Sequence, residues 1–315
     1  MPVFKIKNSK LEQVKQSPFL LESELHKLTE SNLEEIFGLE FVSSKFRVGK
    51  YEIDTLAFDV DSKCFVLIEY KKGKNFSVID QGYSYLSSIL DNKADCVLEY
   101  NEKKNGSLKR KDIDWSQLRV LFLAESFTKY QQDAINFKDL PIELWKTKRY
   151  ENQTVSYSKV GVSDVKQSIR DVSKDKTMDK VSKEIKVYSI EDVIDPTWEN
   201  TRLVFDELRE KILNVSPQIK EKINQIYIGY KIGSNRLCSI FPFKSKIELV
   251  LHRVEATELM DPANRLEIYP EKAGRGKVCK YIIDLSDTKS ANFQHNINLD
   301  YGMSLVIQVY NKYWP

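Results

Sequence analysis

Apolar positions in the first 160 residues switch between two periods. From Glu22 to Phe37, the residues Leu25, Leu28, Leu33 and Ile36 recur at helical spacing, which predicts one helix. Residues 46–59 read as two short extended runs meeting near Gly49 and Lys50, the signature of a hairpin. Cys64 to Tyr70 is apolar on both faces, the pattern of a central strand covered from both sides. After a basic, glycine-containing turn at 71–75, Ser77 to Leu90 predicts a second helix with Val78, Gln81, Tyr85 and Ser88 along one stripe. Asp95–Tyr100 and Leu118–Ala124 are the next strand candidates. A polar loop between them, Asn101 to Asp112, carries Lys103, Lys104, Lys109, Arg110 and Lys111. Helix, hairpin, central strand, helix, strand, strand predicts a mixed α/β module around one sheet.

The pattern changes after about residue 160. Residues 163–186 are dominated by Ser, Asp and Lys with few large apolar groups and read as a linker or an exposed, mixed-charge helix, so 161–187 is taken as a mixed-charge linker between two domains. A helix is predicted from Trp198 through Phe205, Leu208 and Ile212, then strands at Ile226–Ile232, Lys246–Arg253 and Val278–Leu285. A final helix places Tyr301, Leu305, Val309 and Tyr313 four residues apart. Residues 1–160 and 188–315 are therefore read as two domains, the second a smaller α+β unit.

Composition narrows the class. The chain is 41% hydrophobic and 30% charged, a globular balance. With 49 basic against 46 acidic residues the net charge is only +3, so any polyanion site must come from local clustering. No stretch approaches the roughly 18 uninterrupted apolar residues of a membrane helix, and residues 1–21 carry lysines without an apolar secretory core. Cys64, Cys96, Cys238 and Cys279 stand far apart, and with His26, His252 and His295 they complete no zinc spacing. The expectation is a reduced, cytoplasmic protein without a membrane partner.

The chemistry concentrates in two segments. Lys50-Tyr-Glu-Ile-Asp54 lies in a run that should be buried, and Phe65-Val-Leu-Ile-Glu69-Tyr-Lys71 ends the apolar strand. A buried carboxylate needs a cation or several donors to stay ionised. Glu69 and Lys71, two apart on a strand, share a face. If the strand of Asp54 is adjacent, two carboxylates and an ammonium converge. Oxygen ligands of that kind suit Mg2+ or Mn2+, and a lysine beside them can position water or offset charge on phosphorus.

Ile53-Asp54, then 14 residues, then Glu69-x-Lys71 resembles the PD-(D/E)XK superfamily of restriction-endonuclease-like nucleases. Ile53 stands where the family name has proline. The resemblance covers residues about 20–125. It implies a mixed sheet flanked by helices and a metal-dependent nuclease acting on DNA ahead of RNA, in restriction, repair or phage defence. It assigns Asp54 and Glu69 as metal ligands, Lys71 as the water-positioning or charge-stabilising lysine, and Glu22, chosen over Glu24, as accessory ligand. Gln81-x-x-x-Tyr85 matches a QxxxY element that in some branches orients the scissile phosphate or water; spacing of four puts both on one helix face. Arg47, Lys72 and Lys74 are candidate phosphate contacts near the site, with the basic residues 103–111 as further ones. The alternative is a non-catalytic nucleic-acid or protein adaptor keeping the fold. The C-terminal half resembles a small uncharacterised domain family often fused behind such modules. Its expected contribution is substrate binding, a protein partner or a homo-oligomer contact, with Tyr227, Tyr230 and Phe243 as candidate stacking aromatics, the lysines of 244–246 and 272–280 as a candidate basic face, and His252 as a structural residue.

Overall fold

A computed structural model of the chain describes residues 2–72, 77–136, 140–161, 176–186, 188–233, 235–268, 277–285 and 295–315, the side chains of 295–297 excepted. The chain divides into two compact units, Met1–Val187 and Tyr188–Pro315.

In the first unit, β1 (Val3–Lys7) and β2 (Lys10–Val14) form a separate hairpin across Asn8 and Ser9, both left-handed as such a turn requires. Then α1 (Glu22–Glu30) and α2 (Leu33–Phe37) replace the single helix expected over 22–37. The break falls at Ser31 and Asn32, whose side chains bond back to the Lys27 and Leu28 carbonyls. Thr29, not Leu28, lies on the buried stripe with Leu25.

β3 (Glu40–Val48) and β4 (Tyr51–Asp59) make the expected hairpin, pairing Val48 with Tyr51 across a left-handed Gly49. β4 continues antiparallel onto β5 (Cys64–Lys71). Parallel pairing with β6 (Arg119–Ala124) then needs a long crossover. α3 (Val78–Asp91) and α4 (Lys93–Lys104) supply it. After α5 (Lys129–Ala134), β7 (Ile142–Arg149) adds in parallel and β8 (Val155–Lys159) antiparallel. Among the described residues the sheet order is β3-β4-β5-β6-β7-β8, mixed and flanked by helices, as expected.

Asp95–Tyr100, expected as a strand, lies inside α4. A short apolar run does not by itself separate strand from helix, and the slot beside β5 goes to β6. Of the segment expected as a linker or an exposed, mixed-charge helix, residues 161 and 176–186 are described. Residues Lys176–Glu184 form α6, whose Val181 is fully buried in the core beneath α3 and α4, within the first unit.

β5 is central because alternate side chains feed two cores. Phe65 and Leu67 join Leu86, Ile89, Cys96 and Phe122 under α3 and α4, while Val66, Ile68 and Tyr70 join Leu25, Leu33 and Leu123 under α1 and α2. A Cβ on Gly82 would fall 2.5 Å from Ile142 Cδ1, so glycine lets α3 lie close against β7. The sheet also carries one buried charge cluster. Arg119 donates to Asp59 at 2.9 Å with Glu143 at 3.8 Å. Arg119→Met leaves Asp59 buried without that partner and is expected to cost about 3–5 kcal/mol, measured by urea unfolding.

In the second unit, α7 (Ile190–Val193) and α8 (Glu199–Val215) precede the strands β9 (Ile219–Ile223), β10 (Ile228–Ile232), β11 (Asn235–Phe243), β12 (Lys246–His252), β13 (Leu266–Ile268) and β14 (Val278–Asp284), and α9 (His295–Tyr313) ends the chain. The described strands form one antiparallel sheet, β13-β14-β12-β11-β10-β9, whose core is shared with α8 and α9. The unit is α+β, as expected. Among the described residues no helix is long and apolar enough to cross a membrane, and the four cysteines are buried free thiols.

Candidate active site

The β4–β5 ladder ends with Thr55 opposite Ile68, and the same register carried one step further would set Asp54 opposite Glu69. Opposite residues of an antiparallel pair share a face. Regular pairing stops there, and the Tyr70 amide instead donates to Asp54 Oδ2 at 3.1 Å. Asp54 is 9% exposed and Glu69 5%. Lys71 Nζ donates to Glu69 Oε1 at 2.7 Å, and Gln81 Nε2 donates to the same oxygen at 2.9 Å and to the Tyr85 hydroxyl at 2.8 Å. Five residues chosen from sequence therefore meet on the α3 face of the sheet. The close seat of α3 at Gly82 places Gln81 and Tyr85 there.

The electrostatics are those of a crowded anionic site. Burial, then the charge of Asp54, push the Glu69 carboxyl above its ordinary value; the bonds from Lys71 and Gln81 oppose this without cancelling it. Glu69 Oε2 is buried with no hydrogen-bond partner. Burial also raises the Tyr85 phenol, with the charge of Glu69 adding to it, so the hydroxyl stays protonated as a donor. Because the folded chain holds the Glu69 proton to higher pH, this group favours folding below its ordinary 4.5 and loses that contribution as pH rises through the raised value. At neutral pH the ionised carboxylate is a cost. Glu69→Gln is therefore expected to raise the Tm in EDTA at pH 7.5, with the gain shrinking toward pH 4; a lower Tm at pH 7.5 contradicts this electrostatic account.

A hard divalent cation fits this donor set. Both acids offer carboxylate oxygens, the ligands Mg2+ and Mn2+ prefer, and Glu69 Oε2 is a buried acceptor lacking a partner. Among the described residues, no three His, Cys, Asp or Glu side chains form a metal-spaced cluster. Glu22 thus does not assemble with Asp54 and Glu69 into a three-carboxylate set. It stands at the end of β5, where its carboxylate accepts from the Lys72 amide at 2.9 Å. Glu24, the residue passed over, pairs with Arg149.

The weaker candidates scatter. Arg47 is exposed and paired with Glu52 at 3.0 Å. Lys72 is exposed at the strand end and its ammonium caps the Leu20 carbonyl. Lys74 lies outside the described residues. Lys103 and Lys104 close α4, and with Lys109, Arg110 and Lys111 they are exposed at the other end of the sheet. There Tyr100 packs on Phe58 and Phe65, and Trp115 bonds the Arg110 carbonyl. In the second unit Tyr230 is fully buried against Glu221 and Tyr227 is stacked on Phe241 at 4.9 Å, so neither presents a face for a base; Phe243 is partly exposed beneath Lys246. Of the expected basic face there, Lys244 is exposed with Asp195 as a charged neighbour, and the other described lysines are paired. Lys246 pairs with Glu248, Lys277 with Glu255 and Glu258, and Lys280 with Glu248 and Glu267, while Lys272 lies outside the described residues. His252 is buried 3.0 Å from Ser239 Oγ.

Sequence reading missed Lys45, whose ammonium bonds Asp54 Oδ1. The signal was present. A hairpin turning at Gly49 and Lys50 fixes a register that places residue 45 opposite 54. It also missed the network on the opposite face of the sheet. His26 stacks on Tyr70 at 4.5 Å and contacts Glu30 at 2.9 Å, and Thr55 donates to Glu30 at 2.6 Å with the Tyr70 hydroxyl 3.3 Å from the same Oγ1. Burial opposes ionisation of Glu30, but the bonds from His26 and Thr55 outweigh it and hold the carboxyl below its ordinary value. This network pins α1 to the backs of β4 and β5.

An uncharacterized protein of Haemophilus influenzae is 40% identical over 236 residues, 75% of this chain and 78% of that one. The chain belongs to the family of that protein. No family model matches the chain. Among solved structures, it is similar to a repair endonuclease from Pyrococcus abyssi (18% identity, 42% of this chain and 50% of that chain, TM-score 0.28). It is also similar to the EndoMS–dsDNA2 complex (16%, 43% and 50%, 0.25) and to Pyrococcus furiosus SfsA in complex with Ca2+ (11%, 49% and 78%, 0.24). The chain spans half the length of the first two.

Proposed function

We propose that this family member is a metal-dependent nuclease of the PD-(D/E)XK type, hydrolysing phosphodiester bonds in DNA ahead of RNA. The observation that carries the reading is the meeting of Asp54, Glu69 and Lys71 on one sheet face, with one buried Glu69 oxygen lacking a protein partner. A structural ion pair alone explains Lys71 and Glu69 Oε1. It does not explain a second buried carboxylate beside them, which raises the cost of ionising Glu69.

Asp54 and Glu69 are the residues that would hold Mg2+ or Mn2+. A bound divalent ion supplies Lewis acidity toward the phosphate and lowers the pKa of water. The Lys71 ammonium stands where it can orient a water for in-line attack and offset the negative charge growing on the phosphate oxygens. Gln81, fixed between Glu69 and Tyr85, holds the Glu69 carboxylate in one orientation. The preference for DNA rests on the sequence resemblance.

The test is incubation of the full chain with plasmid, linear duplex, single-stranded DNA and RNA, each with Mg2+, Mn2+ or EDTA. Scission of DNA with either ion and none in EDTA is expected. Intact substrates in every arm, at protein concentrations above those that bind DNA, defeat the proposal and leave a non-catalytic adaptor as the better account.

A further inference from the structure

We propose that Lys45 is a second lysine of the active centre: a tethered cation that holds Asp54 before the divalent ion arrives and contacts the substrate phosphate once the ion has displaced it. This rests on the nuclease reading given above.

Three observations carry it. The Lys45 ammonium bonds Asp54 Oδ1, one of the carboxylates assigned to the metal, so the lysine and an ion compete for one oxygen. Its side chain is 54% exposed against 12% for Asp54, so it can swing out while the carboxylate stays. The backbone is the third. Lys45 lies within β3 with φ of 53°, a left-handed conformation uncommon for a residue other than glycine. Its consequence is visible in the neighbours. Ser44 Oγ lies 3.4 Å from His26, on the α1 face, whereas Phe46, two residues on, enters the core on the α3 face. A regular strand puts residues two apart on one face. The left-handed residue resets the alternation and leaves Lys45 opposite Asp54 at the sheet's active face. Conformations of this kind persist where the surroundings impose them and gather at functional sites.

The experiment combines Mn2+ binding, the salt dependence of duplex DNA binding and single-turnover cleavage in the full chain. Lys45→Met is expected to bind Mn2+ about two- to fivefold more tightly, since an ion pair that competes with the metal is gone. At saturating Mn2+ the same variant is expected to cleave about 10²- to 10³-fold more slowly, the range for one lost charge-stabilising donor. The slope of log affinity for DNA against log salt is expected to fall by about 0.7–0.9, one phosphate contact. Lys45→Gly suits the left-handed backbone and is expected to show the same three changes with a Tm above that of Lys45→Met, which separates the role from folding. Lys45→Arg is expected to keep the salt slope. Tighter Mn2+ binding with rate and slope unchanged makes Lys45 a plain counter-ion and overturns the proposal. So do Met and Gly variants that match wild type throughout while Asp54→Asn loses Mn2+ binding and cleavage. If Asp54→Asn binds Mn2+ as wild type does, the nuclease reading of the site falls as well, and Lys45 with it.

Discussion

Alanine in place of Lys71 is expected to lower single-turnover DNA cleavage by roughly 10²–10⁴-fold, the range for losing one positioned proton-transfer or charge-stabilising group. The chain should remain folded. Lys71 ends β5, and the bond it loses goes to Glu69 Oε1, which Gln81 also serves. The stability cost is then about 1–3 kcal/mol, that of under-satisfying one buried acceptor. DNA affinity should change little, because a single phosphate contact is a minor share of the electrostatic binding. Arginine should not restore the rate, since a planar fork does not reproduce a compact ammonium on this geometry. Circular dichroism, a binding isotherm and a single-turnover time course on the same preparation decide it. Cleavage by the alanine variant within a few-fold of wild type removes Lys71 from the chemistry.

The second large effect is expected at the carboxylates, where loss of charge and of metal affinity coincide. Asp54→Asn and Glu69→Gln should each reduce cleavage by at least about 10³-fold, because both acids supply the hard anionic oxygens a divalent ion needs. The two variants should differ in stability. Asp54→Asn puts a neutral amide beside the Lys45 ammonium and keeps an oxygen for the Tyr70 amide, so the charge attraction is lost on the Lys45 side. Glu69→Gln removes a carboxylate whose ionisation burial and Asp54 already oppose. Asp54→Asn is thus expected to melt lower than wild type in EDTA and Glu69→Gln higher. Mn2+ should raise the Tm of wild type and of neither variant, by the mass-action stabilisation that any ligand binding only the native state confers.

How much of this was legible in the sequence follows from where the physics is local. The apolar run ending at Tyr70 announced β5 because a strand buried on both faces has no polar alternation to hide in. The Gly49–Lys50 turn fixed the hairpin, and the i, i+2 and i, i+4 spacings put Glu69 with Lys71 and Gln81 with Tyr85. What failed was either ambiguous or tertiary. Cys96 to Tyr100 is too short a run to declare its period, and its helix is settled by Cys96 and Tyr100 packing against the sheet. The hairpin of β1 and β2 escaped because nearly all its side chains are exposed, Phe4, Ile6 and Leu11 included, so no burial pattern marks it. The His26–Glu30–Thr55–Tyr70 network joins three elements, and nothing in any one of them signals it. Glu22 was placed near the site by helix phase, yet its carboxylate serves the Lys72 amide, a contact set by how α1 meets the end of β5. The basic residues 103–111 read as a phosphate patch by composition, whereas the crossover carries them to the far end of the sheet.

The central claim is that Asp54 and Glu69 share one divalent ion. Anomalous diffraction from a crystal of the full chain soaked in Mn2+, collected near the manganese edge, tests it most directly. The account predicts a single strong peak within coordination distance of one Asp54 oxygen and of Glu69 Oε2, with the Lys45 ammonium withdrawn from Asp54. No peak there at Mn2+ concentrations that support cleavage, or a peak held by other side chains, contradicts it.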